Sequence, residues 1–78
     1  MSKREAFIWF VELCHRLSPH ADKTCGQVRA EFLQTTKYGT PERDRDVALV
    51  MDSAEYLPSN MTALKAYNQC LSWLRDNP

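Results

Sequence analysis

Ser2-Lys3-Arg4-Glu5-Ala6-Phe7-Ile8-Trp9-Phe10-Val11-Glu12-Leu13-Cys14-His15-Arg16-Leu17 is the most apolar stretch of this 78-residue chain, and its reading decides the fold. Ser2 and Glu5 have the spacing of a capping box, in which a hydroxyl and a carboxylate satisfy free backbone N–H groups reciprocally at a helix start. At helical periodicity Phe7, Phe10, Cys14 and Leu17 share one face, with Ala6, Val11 and Leu13 beside them. Glu5, Glu12 and Arg16 lie opposite, and Glu12 to Arg16 is the favourable i,i+4 order for an ion pair. Ile8 and Trp9 flank that charged strip on its two sides. A helix apolar nearly all round is either central in its domain or covered by a partner.

Working outward, Pro19 stops the first helix because it has no N–H and clashes with the preceding turn. Thr24 and Gln27 form a second, weaker capping box, followed by Cys25, Val28 and Phe32 at helical spacing with Leu33 to one side. Gly26 permits a close approach, and Gly39 is expected as the left-handed residue closing this polar, edge-lying helix. Thr40-Pro41-Glu42 is the strongest start signal in the chain: an N-cap hydroxyl, a proline at the first position and an acid against the helix dipole. In the third helix Val47, Val50, Met51, Ala54 and Leu57 read as the core stripe, leaving Leu49 and Tyr56 on the other side. Arg43 to Asp46 reads as a solvated, self-paired charge run. Leu57-Pro58 breaks the chain, and Ser59 is placed to cap a fourth helix with the stripe Leu64, Tyr67, Leu71 and Leu74, joined by Ala63 and Cys70. Trp73 falls at the border of that stripe.

The expectation is therefore an all-α, compact four-helix domain with short loops, its helices spanning about 3–17, 23–37, 41–56 and 60–75, in one domain covering 1–78. Short loops lead us to expect sequential neighbours packed roughly antiparallel. A chain this short buries only about 60% of its unfolded surface, so self-association would add to its stability. Lys+Arg and Asp+Glu both total 10, so the net charge is zero. That argues against a generally basic nucleic-acid binder and removes a barrier to association. No run approaches the roughly 20 apolar residues of a membrane span, and the start does not resemble a secretion signal. A cytoplasmic protein with no membrane partner is expected, with Cys14, Cys25 and Cys70 as buried thiols.

Chemistry is scarce. Cys14, His15, His20 and Cys25 contain metal-ligand residue types but lack the paired spacing of a zinc site. Cys14 and His15 are helical neighbours and point apart, so they do not form a nucleophile with its base. No glycine-rich phosphate loop is present. The sequence thus predicts neither enzyme, cofactor nor metal. It predicts a small protein-interaction module, by analogy an inhibitor, adaptor or immunity-type accessory protein of bacterial or phage origin. Its partner would be another protein or a second copy of itself. Ile8, Trp9, Leu49, Tyr56 and Trp73 are the expected anchors, because each lies off the core stripe of its helix. Arg43 and Arg45 are the expected rim charges. The alternative is a helix-turn-helix-like DNA-binding regulator over 24–56, with Arg43 and Arg45 at the start of the recognition helix and Lys37 and Arg29 nearby.

Overall fold

The computed structural model describes residues 2–20 and 22–78. Among the described residues four helices form the domain: α1 (Lys3–Leu17), α2 (Cys25–Gln34), α3 (Pro41–Tyr56) and α4 (Ala63–Asp76). The α1 helix is central and packs on all three others. Phe7, Phe10, Leu13 and Cys14 meet Cys25, Val28 and Phe32 of α2, Leu57 after α3, and Ala63, Ala66 and Cys70 of α4 in one core. Consecutive α3 and α4 do not pack on each other as antiparallel neighbours. Phe7 bridges them instead, touching Tyr56 of α3 and Trp73 of α4 edge-on.

The helix starts follow the capping logic with two changes. Ser2 Oγ accepts the Glu5 N–H at 3.2 Å, but only this half of the α1 box is made, and the Glu5 side chain faces a groove towards α3. The complete box is at α2: Thr24 Oγ1 accepts from the Gln27 N–H, and Gln27 Oε1 accepts from the Thr24 N–H. At its far end α1 closes on Ser18, which is left-handed (φ 46°) and donates its N–H to the Cys14 carbonyl. The α2 helix ends at Gln34, before the expected limit of 37. The Thr35 and Thr36 hydroxyls bond the Phe32 and Leu33 carbonyls and take over the last turn. Gly39 does adopt a positive φ of 78°, but in the turn before Thr40 rather than as the cap of α2.

Ser59 does not cap α4; Thr62 does, accepting the Lys65 N–H. Ser59 serves a junction between the starts of α2 and α4. The Cys25 N–H donates to the Met61 carbonyl (2.8 Å), the Gly26 N–H to the Ser59 carbonyl (3.1 Å) and the Ala63 N–H to the Lys23 carbonyl (2.7 Å). Two positive helix ends lie side by side here. Each satisfies its free N–H groups with carbonyls of the segment leading into the other. Gly26 makes this approach possible, since a Cβ there would stand 3.0 Å from the Ser59 Cβ.

Two helices face the core differently from their expected stripes. In α3, Leu49 (6% exposed) and Ser53 are buried, while Val47, Met51 and Ala54 face outwards, Met51 at 67% exposure. The cause is Arg29. Its side chain is 4% exposed, and its guanidinium donates to the hydroxyls of Ser53 and Ser59 at 3.4 and 3.1 Å. A hydropathy pattern counts Ser53 as outward, yet a buried guanidinium requires hydroxyl partners. In α4, Ala63, Ala66 and Cys70 face α1, leaving Leu64 and Leu71 exposed. Small side chains there accommodate the bulky Phe7, Phe10 and Leu13 of α1.

Candidate functional site

A groove runs between α1 and α3. Glu5, Ile8, Trp9 and Glu12 line it from α1, and Arg45 and Leu49 from α3, around a cleft of about 290 Å³. It continues past Trp9 and Arg45 towards Leu13, Arg16, Phe32 and Asp46. The floor is apolar and the walls carry both signs of charge. Trp9 is held edge-to-face against Phe32, with centroids 5.4 Å apart, so the indole is a fixed wall rather than a free side chain. Leu49 is buried and forms the floor, Ile8 stands at the rim at 36% exposure, and Arg45 is exposed. Glu12 and Arg16 make no ion pair within 4 Å; the ion pairs among the described residues are Lys23–Glu31 and Arg75–Asp76.

Four of the seven residues expected from sequence therefore meet at this groove: Ile8, Trp9, Leu49 and Arg45. The other three do not. Leu49 itself differs from expectation in being a core residue with one edge on the groove. Arg43 is not a free rim charge. Its Nη1 donates to the Leu33 carbonyl (2.7 Å) and to Thr36 Oγ1 (2.8 Å), and its guanidinium lies 3.9 Å from the centre of the Tyr38 ring. It fastens the start of α3 to the end of α2, and the 43–46 run is not self-paired. Tyr56 and Trp73 sit elsewhere, half-buried and each edge-on to Phe7. Glu5, read from sequence as a capping-box carboxylate, and Glu12, read as the ion-pair partner of Arg16, turn out to be groove walls. The periodicity that set them opposite the core was the available signal.

A second cavity of about 210 Å³ lies between α1 and α4, lined by Cys14, His15, Ser18, Pro19, Ala63, Leu64 and Tyr67. His15 Nε2 and the Tyr67 hydroxyl are 2.7 Å apart at its mouth. Burial pushes the Cys14 thiol up to about 11 and the Cys70 thiol up to about 12; it also raises Cys25. At neutral pH such groups are protonated thiols of low nucleophilicity. His15 and His20 are exposed whereas Cys14 and Cys25 are buried, and no three His, Cys, Asp or Glu side chains among the described residues converge as metal ligands. Among the described residues no helix is long and apolar enough to cross a membrane. The chain matches no protein family, and neither a curated protein nor a solved structure is significantly similar to it.

Proposed function

We propose that this chain is a small, non-catalytic protein-interaction module that receives a partner segment in the α1/α3 groove. The observation that supports this is convergence. Ile8, Trp9, Leu49 and Arg45 come from two helices, and the structure gathers them around one cleft with an apolar floor. An apolar side chain seated between Ile8 and Trp9 would bury surface at about 25 cal/mol per Å². Glu5, Glu12 and Arg45 would orient it and set specificity. The mixed walls fit a partner carrying both signs of charge, and the neutral chain does not resist such an approach.

The helix-turn-helix alternative is weaker. Two of its four cations are occupied inside the molecule, Arg29 by Ser53 and Ser59 and Arg43 by the end of α2. Light scattering over a concentration series, together with a cross-linking pull-down, tests the groove. Ile8→Glu and Arg45→Glu should each abolish the association seen with the native chain while leaving the melting temperature unchanged. Association that survives both substitutions would place the docking surface elsewhere.

A further inference from the structure

The geometry points to a cation-binding cage, formed by Phe7, Tyr56 and Trp73, that takes a methylated ammonium group on an aliphatic stem. The three rings come from α1, the end of α3 and the end of α4. Tyr56 and Trp73 stand nearly perpendicular to Phe7, at 90° and 78°, with centroids 5.9 and 5.3 Å from it. The three ring centres nevertheless all lie within 5.6 Å of one common point. The structure shows what the space at that point accepts, because the Lys3 ammonium occupies it, 5.4 Å from the centre of Phe7, 5.6 Å from Tyr56 and 5.1 Å from Trp73. No carboxylate among the described residues pairs with Lys3, so its surroundings are aromatic rather than ionic. The negative faces of the rings supply the attraction.

Lys3 is a weakly held occupant. It is the first residue of α1, where the helix dipole disfavours a positive charge. Its three N–H donors find no acceptor on ring faces, so the primary ammonium enters the cage only by giving up hydration. A methylated ammonium has little such hydration to lose and presents methyl groups to the rings. It is therefore the better ligand, and the chain's own lysine acts as a tethered competitor. Choline and a trimethylated lysine side chain share this chemistry. The cage and the groove have no residue in common, so this inference stands apart from the proposed docking function.

The test uses the full chain, labelled with nitrogen-15, as native protein and as Lys3→Ala. Choline, trimethyllysine capped at both ends, and capped unmethylated lysine are titrated at matched ionic strength. The Trp73 indole N–H reports the cage and the Trp9 indole serves as internal reference. Saturable movement of Trp73 but not Trp9 is expected with both methylated probes, and little with unmethylated lysine. Removing the competitor should tighten binding roughly three- to sixfold in Lys3→Ala. The tighter of the two methylated probes identifies whether the natural source is a choline-type molecule or a modified lysine. A Lys3→Ala protein of native helicity whose Trp73 signal does not saturate overturns the proposal, as does equal binding of unmethylated lysine. Undiminished binding by a folded Tyr56→Leu variant overturns it as well.

Discussion

Replacing Gly26 by alanine should destabilise this protein, although glycine-to-alanine changes within helices ordinarily stabilise. The intrinsic gain is at most about 1 kcal/mol, and less in the first turn where Gly26 sits. Against it stands the junction of α2 and α4. The new methyl would lie 3.0 Å from Ser59 Cβ, 3.3 Å from its carbonyl oxygen and 3.4 Å from its hydroxyl. Optimal carbon–carbon contact is about 3.5–4.0 Å, so Ser59 must retreat by roughly half an ångström or more. It is held in place by the Gly26 N–H on its carbonyl and by Arg29 on its hydroxyl, both at 3.1 Å. Overpacking of this kind costs about 1–3 kcal/mol, and loosening the two bonds adds about 1 kcal/mol. A net loss of about 1–4 kcal/mol follows. At about 2.1 cal/mol/K per residue, the unfolding entropy of a chain this size converts that to a fall of roughly 6–24 °C. Thermal melting followed by far-UV circular dichroism measures it. Gly39→Ala is the control, because nothing lies within 4 Å of that position and only its positive φ is penalised. A rise in melting temperature for Gly26→Ala would refute the reasoning, since the two helix starts would then not approach so closely.

Arg29→Met should leave stability within about 1 kcal/mol of native or raise it, because a buried cation without a carboxylate gives up desolvation cost when replaced by an apolar chain of similar length; Ser53 keeps its bond to the Val50 carbonyl. Chemical denaturation checks this, and a loss above about 2 kcal/mol would show that the guanidinium is net stabilising. The inverted face of α3 predicts that Leu49→Ala costs about 2–5 kcal/mol while Met51→Gln, at 67% exposure, changes stability by less than about 0.5 kcal/mol; the reverse order would restore the face read from sequence. The raised thiols predict alkaline weakening. Cys14 and Cys70 hold protons in the native state that the unfolded chain releases near pH 8.5, so their contribution is complete below about that pH and is lost as pH rises through about 11 and about 12. Urea midpoints across this range should fall, and less steeply in Cys70→Ala. Fluorescence anisotropy with labelled duplex DNA at low salt should show no binding; affinity falling steeply with added salt would revive the helix-turn-helix reading.

The sequence by itself determined the number and approximate extent of the helices. Caps and breakers act within a few residues, so Thr24 with Gln27, Thr40-Pro41 and Pro19 could be read without knowing what lies nearby. It narrowed α1 to a helix that is central or covered by a partner, because it is apolar nearly all round, and packing on all three other helices decided for the centre. It singled out Ile8, Trp9, Leu49, Tyr56, Trp73, Arg43 and Arg45 alike, and only the fold separated Ile8, Trp9, Leu49 and Arg45 into one groove. Tertiary structure decided which faces of α3 and α4 turn inward. Arg29 draws Ser53 into the core, and small residues of α4 fit against the large ones of α1 while Leu64 and Leu71 stay outside. Tertiary contacts also set where α4 begins. Ser59 is as good a local cap as Thr62, but its carbonyl and hydroxyl are required by Gly26 and Arg29 on another helix. Local chemistry is written in neighbouring residues; the burial of a polar side chain depends on a partner distant in sequence, and periodicity carries no record of it.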